Sequence, residues 1–146
     1  MKIVIATFNL GKLKEFKSLF KNSKFEVIAL NNFSSEDIEE TGKSYEENIS
    51  KLLKKMKLLK NSKAKFVSTL AFYDPQKKIE LFSYGELYGE IISERKGNKG
   101  FGYDPIFKIK NSNKTLGEIS FEERMKISHR AKSTVNMINF LNQIYK

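Results

Sequence analysis

An unbroken apolar run, Ile3-Val4-Ile5-Ala6, gives way after one short polar segment to apolar residues three and four apart, at Leu13, Phe16, Leu19 and Phe20. A continuous run suits a strand buried on both faces, and the three-four spacing suits a helix packed by one side. Lys2–Ala6 therefore reads as a buried first strand, Thr7–Lys12 as a tight loop and the residues after Gly11-Lys12 as a helix. A chain that begins with this unit is directed toward an α/β architecture.

The rest of the chain continues the alternation. Phe25–Leu30 reads as a second strand, and Asn31–Lys43 is polar. Ser44 with Glu47 makes a capping-box pattern opening a helix to about Leu59, with Tyr45, Ile49, Leu52, Met56 and Leu59 on one face and lysines on the other. Lys65–Asp74 and Lys78–Tyr84 are rich in β-branched and aromatic residues around the turn-forming Asp74-Pro75-Gln76-Lys77, which predicts a hairpin that Gly89–Glu94 extends. Ile106–Ile109 reads as a short strand and Asn111–Asn113 as a turn. Ser120 with Glu123 repeats the capping pattern, and a final helix from about Arg130 is expected to bury Val135, Ile138, Leu141 and Tyr145.

A length of 146 residues with 40% hydrophobic content predicts one domain with a real core. No cysteine is present, which excludes disulfides and thiolate metal sites. The four-residue apolar run at the N-terminus is too short for a signal-peptide core or a membrane span, so the expectation is a cytoplasmic protein with no membrane partner. The net charge of +10 suits a nucleic-acid face. Only three of the 27 basic residues are arginine, however, and the lysines run along the whole length, which favours a solvated basic surface.

Three segments carry chemistry. Thr7-Phe8-Asn9-Leu10-Gly11-Lys12 stands where free amides and the positive helix end favour an anion; Thr7 and Asn9 add side-chain donors, Gly11 permits a close or left-handed backbone, and Lys12 adds charge. It lacks P-loop spacing, and an ordinary turn with a solvated lysine fits it equally. In Gly97–Pro105, three glycines surround Phe101, Tyr103 and Asp104, so an aromatic face could lie against a base whose hydrogen bonds Asp104 accepts. The alternative is a glycine-rich turn with its aromatics in the core. His129, the sole histidine, and Arg130 start the final helix, where cations are disfavoured unless an anion is bound. Arg124 could aim at the same place; a surface arginine pair bonded to Glu122 and Glu123 is the competing reading. Six acids between Glu36 and Glu47 include Glu39 and Glu40, candidates for Mg²⁺.

Together, Thr7–Lys12, Glu40-Thr41-Gly42 followed by Glu47-Asn48, Gly100–Phe107 and Ser128-His129-Arg130 resemble the inosine triphosphate pyrophosphatase family, over most of the chain. The resemblance implies a twisted mixed sheet flanked by helices, in two lobes with a nucleotide cleft between them, and a homodimer. It implies hydrolysis of non-standard purine nucleoside triphosphates (ITP, dITP, XTP) to the monophosphate and pyrophosphate, by attack of water on the α-phosphorus. Thr7, Phe8, Asn9, Leu10, Gly11 and Lys12 would bind the triphosphate, and Glu40 would help hold Mg²⁺. Phe101, Gly102, Tyr103 and Asp104, with His129 and Arg130, would recognise the purine. Arg124 stands where the family usually has lysine, a substitution that keeps the charge but changes its shape.

One expected segment is absent. The family carries an Asp-Asp-Ser-Gly-Leu stretch with a catalytic, metal-binding aspartate after the helix that begins near Glu47. Here no aspartate occurs between Asp37 and Asp74, as if the single domain of residues 1–146 were internally shortened near residues 49–63. Three functions follow: a shortened Mg²⁺-dependent pyrophosphatase, a nucleotide-binding relative with impaired catalysis, or a basic nucleic-acid binder. The motifs favour the first.

Overall fold

The computed structural model describes residues 1–30, 44–58 and 62–146. Their order is β1 (Lys2–Ile5), α1 (Leu10–Phe20), β2 (Glu26–Ala29), α2 (Tyr45–Met56), β3 (Lys63–Asp74), β4 (Ile79–Ile91), a 3-10 turn at Asp104–Ile106, β5 (Phe107–Ile109), α3 (Phe121–Ile127) and α4 (His129–Ile144). Parallel and antiparallel pairing both occur, as a mixed α/β fold requires. β1 and β2 pair in parallel, with Ile3 opposite Val27. β3, β4 and β5 form a second sheet in that order, with β5 antiparallel to β4.

The chain divides into two compact units. The first comprises Met1–Glu39, Val67–Glu86 and Met125–Lys146. Parallel strands need a crossover, and α1 supplies it between β1 and β2. Its core joins Ile3 to Phe16, Phe20 and Phe25, with Met137 and Leu141 from α4. β1 is less enclosed than its composition suggests, because Val4 remains 44% exposed.

On α4 the expected face is buried at Leu141, with Ile138 and Tyr145 packed against the core, but Val135 is half exposed and Ala131, Ser133, Thr134 and Met137 are buried as well. The reason is backbone proximity: a Cβ on Gly85 of β4 would overlap the His129 carbonyl and the Ser133 amide. Only small side chains fit so close a contact, so Ser133 and Thr134 take the inner face and turn their hydroxyls back to the Arg130 carbonyl at 3.1 and 2.7 Å. Ser133 Oγ also donates to Ser68 Oγ at 2.8 Å.

The second unit comprises Glu40–Phe66 and Leu87–Arg124. Ile49, Leu87, Ile106, Phe107, Leu116 and Ile119 are buried in it, and the Phe66 and Phe107 rings lie 4.6 Å apart between centroids. Ser44 caps α2 by accepting from the Glu47 amide, and Ser120 and Glu123 cap α3 reciprocally at 2.7 and 3.1 Å. Within α2 only Ile49 is fully buried, so the apolar stripe read from Tyr45 to Met56 is mostly a half-covered surface; Leu59 lies outside the described residues. No helix among the described residues is long and apolar enough to cross a membrane.

Candidate functional site

In the first unit, the loop after β1 turns into α1 through its own side chains. Thr7 Oγ1 accepts from the Asn9 amide at 3.3 Å, and Asn9 Oδ1 caps the helix by accepting from the Lys12 amide at 2.9 Å. The Lys12 amide is thereby used, so an anion at this helix start would meet the amides of Leu10 and Gly11. Leu10 is exposed, Phe8 half-buried, and the Lys12 side chain exposed. Gly11 is the second residue of α1 and does not take the left-handed conformation its type allows.

One turn further along α1 is the acid that explains the start of α4. Glu15 is 2% exposed and accepts from Arg130 Nε at 2.6 Å, and Arg130 is itself 9% exposed. A cation at a helix N-terminus is disfavoured by the macrodipole. Glu15 provides the compensating anion from within the fold, so Arg130 needs no external ligand to be stable there. Arg130 Nη1 also lies 3.4 Å from His129 Nε2. An arginine only donates, which makes Nε2 the acceptor and places the imidazole proton on Nδ1.

Burial, with the Arg130 and Lys132 charges beside it, pushes His129 from its ordinary 6.5 down to about 4. His129 is therefore neutral at physiological pH rather than one of two cations. Its folded value lies below its unfolded value, so the stabilisation is complete above pH 6.5 and is lost as pH falls through about 4. Allowing for solvent screening, the loss should reach about 1–2 kcal/mol. Urea unfolding midpoints of wild type and His129→Asn between pH 7 and 4 check this: the wild type should lose more stability than the variant over that window, and parallel curves would refute it.

In the second unit the glycine-rich loop is organised around Asp104, which is 7% exposed. Its Oδ2 accepts from the Phe101 amide at 3.0 Å and faces Arg124 Nη1 at 3.4 Å. Arg124, also 7% exposed, lies over the Phe121 ring at 5.7 Å. Gly100 has φ +81°, and a Cβ there would overlap Asp104 Oδ2 and Arg124 Nη1, so the position requires glycine for both conformation and space. The Asp104 carbonyl accepts from the Gly117 amide at 2.9 Å, which ties the loop to the segment before α3. The surface pairing with Glu122 and Glu123 does not occur: Arg124 and Arg130 are buried, and Glu123 is used in its cap with Ser120.

The expected residues thus fall into two groups. Thr7 to Lys12, His129 and Arg130 belong to the first unit; Phe101, Gly102, Tyr103, Asp104 and Arg124 belong to the second. Glu40 and the acids from Glu36 to Glu39 lie outside the described residues. Among the described residues no three acids or histidines gather to hold a metal ion. The buried carboxylates of Asp104, in the glycine-rich loop, and of Glu15, on α1, each face an arginine, so they do not fit Mg²⁺.

Two residues escaped the sequence reading. Glu15 had a signal, being the only acid in an α1 that carries lysines at 12, 14 and 17. Tyr45 was assigned to the packed face of α2, yet its ring meets Phe101.

A sequence model described as the Ham1 family matches residues 3–51 and 44–140. A dITP/XTP pyrophosphatase of Staphylococcus epidermidis is 31% identical over 189 aligned positions, which span 95% of each chain. This chain has only 146 residues, so more than forty of those positions carry none of its residues. The Staphylococcus aureus Ham1 protein matches with a TM-score of 0.79 at 26% identity, over 99% of this chain and 100% of that one. A HAM1 protein from Coxiella burnetii matches with a TM-score of 0.83 at 24% identity, over 98% and 99%, a likeness of fold. These matches bear out the family read from the motifs.

Proposed function

Because this chain belongs to the Ham1 family, we propose that it hydrolyses the non-standard purine nucleoside triphosphates ITP, dITP and XTP to the monophosphate and pyrophosphate. The observation that carries this reading is the 31% identity to a dITP/XTP pyrophosphatase across 95% of both chains. In the first unit, Lys12 and the α1 amides are suited to a phosphate group. In the second, Phe101 offers a ring for stacking, and the Asp104–Arg124 contact holds the loop that carries it.

Dependence on Mg²⁺, which would neutralise triphosphate charge, is part of the proposal, with Glu40 as the candidate carboxylate. A homodimer in the cytoplasm belongs to the same reading, and sedimentation checks the dimer.

A second reading is favoured by one specific observation: no aspartate stands between Asp37 and Asp74, so the chain could bind nucleotide without turnover. Losing a general base typically lowers rates by about 10²–10⁴. Pyrophosphate release from ITP, XTP, GTP and ATP, with and without Mg²⁺, separates the two. Mg²⁺-dependent turnover selective for ITP and XTP is the expected result. Stabilisation by ITP without turnover would instead establish the impaired relative.

A further inference from the structure

Side chains of a strand alternate between its two faces. In the second unit, β3, β4 and β5 turn Phe66, Leu87 and Phe107 inward, with the Phe66 and Phe107 rings 4.6 Å apart. The alternate positions point outward: Lys63 and Lys65 on β3, Tyr88 and Glu90 on β4, Lys108 on β5 and Lys110 just past its end. A solvated sheet face needs polar residues but no aromatic ring, and like charges on neighbouring strands oppose one another.

Tyr88 sits on the middle strand of this sheet and is 50% exposed. Its carbonyl accepts from the Lys110 amide at 3.0 Å, which fixes Lys110 beside it. Lys65 Nζ and Lys110 Nζ stand 5.7 and 5.9 Å from the ring centroid, one reaching from either side of β4. Both distances are at the outer limit of a cation–π contact. One step along the sheet, Lys108 Nζ meets Glu90 Oε1 at 3.0 Å, and Lys63 is exposed. The next outward acid on β4, Glu86, bonds the Tyr84 hydroxyl. Four lysines and one glutamate therefore surround an accessible ring on three hydrogen-bonded strands.

We infer that this sheet face docks single-stranded nucleic acid, with a base stacked on Tyr88 and backbone phosphates met by Lys63, Lys65 and Lys110. Charge complementarity selects a polyanion, and the ring selects one whose bases are free to stack; a duplex keeps its bases inside, and a bare phosphate gains nothing from tyrosine. The net charge of +10 favours the encounter. Composition alone pointed to a solvated basic surface; the fold adds the placement of an exposed ring among the lysines. None of these residues belongs to the proposed nucleotide site, and the inference does not depend on ITP hydrolysis.

The test is fluorescence anisotropy with a labelled oligothymidylate of about 12 nucleotides, within the site size of single-strand binders, and with a labelled duplex of equal length. Titrations run from about 50 to about 200 mM salt, with thermal unfolding of each protein. Wild type should bind the single strand more tightly than the duplex. Tyr88→Ala should weaken single-strand binding about tenfold and leave the salt slope as in wild type, whereas Tyr88→Phe should bind as wild type. Lys65→Gln combined with Lys110→Gln should lower the slope by about 0.7 for each lysine, and decides the question if Tyr88→Ala fails to fold. No binding by wild type at the lowest salt, equal affinity for single strand and duplex, a Tyr88→Ala protein that binds as wild type, or an unchanged slope in the lysine pair would each overturn the inference. A sedimentation coefficient that falls in Tyr88→Ala, without oligonucleotide binding by wild type, would assign the face to a second copy of this chain and overturn it as well.

Discussion

Replacing Arg130 with alanine should lower the unfolding free energy by about 3–5 kcal/mol, the range for breaking a buried ion pair from one side. Glu15, 2% exposed, would remain in the first unit with its guanidinium partner gone. For a chain of this size the loss corresponds to a fall in Tm of roughly 10 °C or more. The double variant Glu15→Gln with Arg130→Met removes both charges and should recover much of the loss, since an unpaired buried charge is worse than none. Thermal and urea unfolding of the three proteins measure it. A loss below about 1 kcal/mol in Arg130→Ala would mean that the pair is effectively solvated.

Asp104→Ala should give the larger effect on turnover. The substitution removes the acceptor that holds the Phe101 amide at 3.0 Å and the counter-charge that faces Arg124. Phe101 would lose its fixed place, and a ring displaced by about 1 Å can lower kcat/KM on the order of 10²-fold. Stability should also fall by about 3–5 kcal/mol, because Arg124 stays buried. Limited proteolysis offers a direct view of the loop: Lys96 and Lys99 flank the left-handed Gly97 and Gly100 and should be cut faster in the variant. Asp104→Asn keeps an acceptor for the Phe101 amide and should retain more order than alanine. If alanine and asparagine hydrolyse ITP like wild type, Asp104 does not organise the loop that matters.

The two arginines show how far sequence reading reached. The place of Arg130 at a helix start, and the anomaly of a cation at the positive end of a helix, were visible in Ser128-His129-Arg130 alone. The resolution of that anomaly was not visible. Arg130 finds its anion 115 positions away at Glu15, and no local rule connects residues so distant. Reading Arg130 as a cation awaiting an external anion therefore overstated its need for a ligand. His129 was misjudged for the same reason, because burial beside Arg130 and Lys132 sets its charge.

Short-range chemistry was legible in the chain. Ser44 and Ser120 cap helices by bonding three residues ahead, and Asp74 closes the hairpin turn by accepting from the Gln76 and Lys77 amides at 2.9 and 3.2 Å. What the sequence determined by itself was therefore the alternation of elements, their caps and turns, and the family, all of which rest on contacts within a few residues or on motif order. Tertiary structure alone decided that Ser133 and Thr134 of α4 are buried while Val135 is half exposed, because the backbone of α4 approaches Gly85 closely. It also decided that Glu15 meets Arg130, that Asp104 faces Arg124 and that Tyr45 faces Phe101, because packing joins residues that the chain keeps far apart.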